Sequence, residues 1–199
     1  MLDALPFRAY LKIMTVREII SVPDPRLKTI SHPIEKVTDE TRALMDDMLE
    51  TMYAANGIGL AAIQIGVPER IIVMDLSPSE DAEENDRYDL SDYAAEGVRF
   101  FVNPEITWTS EETSNYTEGC LSVPGFYDDV ERPKQCRLTF LDYDGVAQEI
   151  MCDGLLATCI QHEMDHLNGI VFLDHLSRLK RDRIFDKMRK VNKGKTRSA

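Results

Sequence analysis

The stretch Gln161-His162-Glu163-Met164-Asp165-His166 decides how this chain is read. On a helix, His-Glu-x-x-His sets two imidazoles one turn apart on one face with a carboxylate beside them, which is the arrangement of a metal site with its own proton carrier. The flanks predict that helix. Asp153 can cap its start, Leu155, Cys159 and Ile160 follow at helical spacing, and Gly169 can end it in the left-handed conformation. Leu155, Cys159, His162 and His166 then share one stripe. The plain alternative is a pair of surface histidines on an amphipathic helix, so the context has to supply the rest of a site.

A catalytic metal site of this kind has three protein ligands and one open position. Downstream, a metzincin would place its third histidine where Phe172 stands, and a thermolysin-like enzyme would need a glutamate on a following helix. No glutamate occurs after Glu163. Asp174 and His175 follow an apolar run, Ile170 to Leu173, that reads as a strand leading away. Upstream, Glu118-Gly119-Cys120-Leu121-Ser122 presents a cysteine directly after a glycine, where the backbone can turn tightly and expose a thiolate. Cys120 is therefore the expected third ligand. Cys136, Cys152 and Cys159 read as small buried apolar residues.

Three separated stretches now carry a family resemblance: Gly57-Ile58-Gly59-Leu60-Ala61-Ala62-Ile63-Gln64, Glu118 to Ser122, and Gln161 to His166. In order and spacing the chain resembles a bacterial-type peptide deformylase, from about Ile20 to about Lys190. The resemblance implies a hydrolase that removes the formyl group from the N-terminal methionine of new proteins, releasing formate. Water activated on the metal would be the nucleophile. Glu163 would act as general base and then general acid, and the Gln64 amide and the Leu121 N–H would receive the negative charge on the carbonyl oxygen. By motif position the substrate would lie against Ile58, Gly59, Glu118, Gly119, Leu155 and Cys159, with Arg132 helping to hold the peptide. The peptide backbone would pair with the strand after Ile58. The family typically carries Fe(II), while a Cys-His-His set also accepts Zn, Ni or Co.

Composition agrees with a soluble enzyme. The 199 residues are 43% hydrophobic and 29% charged, with no apolar run of membrane-spanning length. One catalytic domain over 1–199 is expected, bearing an N-terminal extension (1–15), an acidic loop insertion (77–97) and a basic C-terminal helix and tail (176–199). Met1 to Ile13 has the marks of neither a secretory signal nor a transit peptide, and Met14 is an alternative start. Four irregularly spaced cysteines suit a reducing, cytoplasmic setting, bacterial or organellar. The insertion holds eight Asp or Glu against one Arg. From Leu176 onward ten Lys or Arg face two Asp, a charge of +8 that leaves −20 for the rest of a −12 chain. Ser177 can cap a helix with Leu179, Ile184, Phe185 and Met188 as its buried stripe. By the resemblance such a helix docks on the ribosome, where the nascent formylated polypeptide is the partner; neither a membrane nor sequence-specific nucleic acid is expected.

Asp39 to Ala55 reads as an N-terminal helix capped by Thr38, with Leu44, Met45, Met48, Leu49 and Met52 inward. Strands are expected at Val16 to Val22, Arg70 to Leu76, Val98 to Asn103 and Ile106 to Thr109, and a hairpin of Arg137 to Tyr143 with Val146 to Cys152 turning at Asp144-Gly145. The fold class is α+β, with antiparallel sheets packed around the central His-Glu-x-x-His helix and further helices at each end. Two rivals remain at this point. A zinc metallopeptidase shares the helix but completes its site with His, Glu or Asp rather than Cys120. A non-catalytic, ribosome-associated module would use the metal structurally and close all four positions.

Overall fold

Thr38 fixes where the first helix begins: its hydroxyl accepts from the Thr41 N–H while the Thr41 hydroxyl accepts from the Thr38 N–H, closing a capping box. Helix α1 runs Asp39–Ala54. The computed structural model describes residues 15–77 and 97–195. The extension before Thr15, most of the acidic insertion (78–96) and the last four residues lie outside the described residues.

A five-stranded antiparallel sheet forms the scaffold, in the order β1 (Gly59–Ala61), β2 (Ile71–Asp75), β3 (Val98–Thr109), β6 (Gln135–Leu141), β7 (Ala147–Asp153). The unbroken apolar run of β2 is explained by cover on both faces. Ile71 and Val73 pack with Met45, Met48 and Met52 of α1, while Ile72 and Met74 join the cluster behind helix α2 (Gly154–Leu167). The predicted hairpin is present, with Cys136 opposite Cys152.

Helix α2 is buried nearly all round, as a helix sandwiched inside a domain must be. The Asp153 side chain makes no capping bond. The C-terminus does follow expectation. Ile170 N–H reaches Asp165 O at 2.9 Å and Gly169 N–H reaches His166 O at 3.1 Å, a Schellman pair around Gly169 at φ 74°. A side chain there would also sit 2.6 Å from the Lys28 carbonyl oxygen.

Several expected strands differ. Val98–Thr109 is one strand, not two: it passes Asn103 and Pro104 through register shifts against β6. Asn103 takes φ 51° there, and its amide clamps both the N–H and the C=O of Ile34. Ile170 to Leu173 is not a strand; Phe172–His175 forms a 3-10 turn whose apolar residues pack inward. Val16 to Val22 forms no ladder, because Ile20 N–H bonds Gln64 O and Val22 N–H bonds Ser122 O, two separate segments. The reading also missed a second sheet, the hairpin β4 (Thr113–Gly119) with β5 (Tyr127–Pro133).

Helix α3 (Arg178–Lys195) begins at Ser177, whose hydroxyl accepts from Lys180 N–H. Ile184 and Met188 bury against Val171 to Leu176, whereas Leu179 is exposed rather than inward. Met48 is fully buried between α1 and the sheet, so Met48→Ala should cost about 2–5 kcal/mol in urea unfolding. A loss below about 1 kcal/mol would mean this layer is not packed as described.

Candidate metal centre

Cys120 lies just past the end of β4, and α2 carries His162 and His166 one turn apart. One donor atom from each lies within 4.8 Å of the other two, and Cys120 Sγ is 3.1 Å from His166 Nε2. The orientation of His162 is fixed from behind. Its Nδ1 donates to Glu118 Oε2 at 2.8 Å, leaving Nε2 for the site. Burial alone would raise Glu118, but hydrogen bonds from His162 and Arg132 overcome it and hold the carboxyl at about 2, so it stays ionised.

These residues fit a divalent ion. The set is one soft cysteine sulfur and two imidazoles, three donors rather than four among the described residues, and it is largely buried. Glu163 is almost fully buried beside it, and its Oε2 finds no hydrogen-bond partner among the described residues. Burial lifts its carboxyl to about 7, aided by the nearby Glu118 charge and opposed by His162.

The three motifs meet through close approaches. A Cβ on Gly59 would lie 2.7 Å from Glu163 Oε1, and one on Gly57 would lie 2.7 Å from Leu121 Cδ1. A side chain at either position would have to displace Leu121 or Glu163, so glycine lets this segment pass close to both. Gln64 sits in the 3-10 turn Ala62–Ile65, its Oε1 accepting from Ala61 N–H at 2.8 Å. That bond aims Nε2 at Ser122 Oγ (3.2 Å) and Cys120 Sγ (3.6 Å). Ile58, Leu155 and Cys159 belong to one apolar cluster, and burial pushes the Cys159 thiol up, keeping it neutral.

Arg132, expected to help hold the peptide, makes three bonds within the protein. Its guanidinium is buried, bonded to Glu118 at 2.5 and 3.0 Å and to Asp165 at 2.9 Å, behind His162. Through Glu118 it is linked to the His162 imidazole. Sequence reading missed Ser122, which holds the Gln64 amide, and Asp165, the second anchor of Arg132. Asp165 lies inside the motif itself, yet its partner is 33 residues away, so no local pattern signals the pair. A cavity of about 620 Å³ lies on another face of α2, lined by Gln161, Met164, Asp165 and Asn168 and by none of Cys120, His162 and His166.

A His-Glu-x-x-His helix facing a cysteine, with the buried Glu163 carboxylate between the two histidines in sequence, defines a single-metal hydrolase on an α+β scaffold. The family model described as polypeptide deformylase matches residues 16–182, and the chain belongs to that family. A peptide deformylase of Phenylobacterium zucineum (strain HLK1) is 59% identical over 177 residues, 89% of this chain and 97% of that protein. One from Maricaulis maris (strain MCS10) is 54% identical over 186 residues, 94% and 99% of the two chains. The crystal structure of peptide deformylase from Ehrlichia chaffeensis aligns with TM-score 0.79 at 44% identity, covering 89% of this chain and 97% of that one. The same protein in complex with actinonin aligns at 0.77 and 45% identity, covering 89% and 98%. Family and ligand triad together imply a divalent metal ion.

Glu118→Ala removes the partner that orients His162. It should weaken metal binding about 10–100-fold in a competitive chelator titration; unchanged affinity would show that Glu118 does not orient the ligand.

Proposed function

We propose that this chain removes the formyl group from the N-terminal formylmethionine of newly made proteins, with Cys120, His162 and His166 holding the metal. The observation that carries the reading is the placement of Glu163: a buried carboxylate with an uncommitted oxygen, beside a three-ligand set and under a glycine strand. A structural site would close all four positions, and a metallopeptidase would not supply Cys120. When bound, a divalent ion supplies Lewis acidity that makes water nucleophilic near neutral pH and polarises a carbonyl.

The residues divide the work. Glu163 takes a proton as water adds to the formyl carbon, then delivers it to the amine nitrogen as the C–N bond breaks, giving formate and a free N-terminus. Gln64 Nε2, held by Ala61 and Ser122, and the Leu121 N–H donate to the oxygen that gains charge. Ile58, Leu155 and Cys159 offer an apolar wall for the methionine side chain, while Gly59, packed against Glu163, and Gly119, packed against the Tyr127 ring, offer backbone groups to the peptide. Strand β1 is the edge of its sheet, open to pairing with an extended peptide.

Fe(II) is the proposed resident metal, by family likeness, and the protein is read as one cytoplasmic catalytic domain over 1–199. Four free thiols suit a reducing compartment, and no helix among the described residues is long and apolar enough to cross a membrane. The basic face of α3 is the proposed ribosome contact, since Ile184 and Met188 point inward and Arg183 and Lys187 outward.

Three outcomes follow. Anaerobic protein with Fe(II) should release formate from a formyl-Met tripeptide, and Glu163→Ala should lower kcat by at least about 100-fold. No release from folded, metal-loaded wild type would reject the function. Activity should decay in air with Fe(II) and persist with Co(II); equal persistence would argue against iron. Arg183→Glu with Lys187→Glu should abolish co-sedimentation with ribosomes at low salt, and unchanged co-sedimentation would remove the contact.

A further inference from the structure

Behind His162, a line of charged contacts runs outward to a residue that touches neither the three ligands nor Glu163 in any contact described above. His162 Nδ1 meets Glu118 at 2.8 Å, Glu118 meets Arg132 at 2.5 and 3.0 Å, Arg132 Nη1 meets Asp165 Oδ2 at 2.9 Å, and that same oxygen meets His175 Nε2 at 2.6 Å. Side-chain exposure grows along it, from 4% at Glu118 and 5% at Arg132 to 17% at Asp165 and 36% at His175. His175 is therefore the accessible end of an otherwise buried array.

The array has one guanidinium between two carboxylates. Each carboxylate needs further donors to stay charged away from water, and Glu118 has His162. Asp165 has His175, whose N–H fixes the oxygen that grips Arg132. Without that donor Asp165 can rotate toward solvent, Arg132 can follow it, and the grip of Glu118 on His162 loosens. A second contact comes from the same 3-10 turn. The Phe172 ring stacks on the His162 imidazole, centroids 6.3 Å apart and planes 26° apart. The turn Phe172–His175 thus meets His162 directly on its ring and indirectly through its Nδ1 proton.

We infer that His175 is a positioning residue for the metal centre, acting through Asp165, Arg132 and Glu118 to hold the imidazole of His162 in its ligating orientation. The inference rests on reading Cys120, His162 and His166 as the ligands. Direct partners of a ligating histidine are worth about 10–100-fold in metal affinity. His175 acts at several removes, and about fivefold is expected.

The test uses the full chain loaded with one equivalent of Co(II), following loss of the thiolate-to-cobalt absorption after adding excess chelator. His175→Phe should release the metal about fivefold faster than wild type, while His175→Gln, which keeps a side-chain donor, should stay within about twofold. Ile184→Ala is the control, because it loosens the seat of α3 in the same apolar cluster without touching the charged line. It should release metal at the wild-type rate despite a lower Tm. Equal rates for His175→Phe and wild type, no difference between Phe and Gln, or equally fast release from Ile184→Ala would each overturn the inference. Wild type that binds no Co(II) would instead remove the ligand assignment itself.

Discussion

A buried carboxylate cannot stay charged without partners, and the architecture around α2 follows from satisfying Glu118. It is the second-last residue of β4, opposite Asp128 of β5, and stands behind His162, with Arg132 of β5 completing its shell. The small β4–β5 sheet is thereby tied to α2 by charge. Cys120 follows Glu118 by two residues, so the same tie that orients one imidazole also delivers the thiolate. Loss of the tie would disconnect two of the three ligands at once.

The opposite wall is set by size rather than charge. Gly57 and Gly59 let the edge strand and the turn before it lie against Leu121 and Glu163, which a side chain at either position would displace. The proximity has a chemical consequence. Glu163 is stripped of water by burial, which raises its proton affinity towards neutrality and leaves one oxygen without a hydrogen-bond partner among the described residues. A charged side built on Glu118 and Arg132 and a close-packed side built on Gly57 and Gly59 meet around Cys120, His162 and His166.

The sequence was most legible where function and periodicity coincide. His162, Glu163 and His166 lie on a helix whose stripe and Gly169 ending are local signals, and Thr38 marks α1 in the same way. The β4–β5 hairpin was illegible because its buried positions include Glu118 and Arg132, so its pattern lacks apolar alternation. Ile170 to Leu173 is apolar because it packs under α3, and a short apolar run does not distinguish a strand from a tight turn. The contacts of Arg132 with Glu118 and Asp165 were not legible, since those partners come from β4 and α2 and only the fold brings them together. The strand β3 was split at Asn103-Pro104, where a left-handed asparagine bound to Ile34 carries the chain through instead of ending it.

The central claim is that one thiolate and two imidazoles bind a single divalent ion with a position left open. X-ray absorption of the zinc-loaded full chain tests it most directly. The account predicts one sulfur at about 2.3 Å and two imidazole nitrogens at about 2.0–2.1 Å, plus one further light atom. A shell with no sulfur, or with more than one, would contradict it.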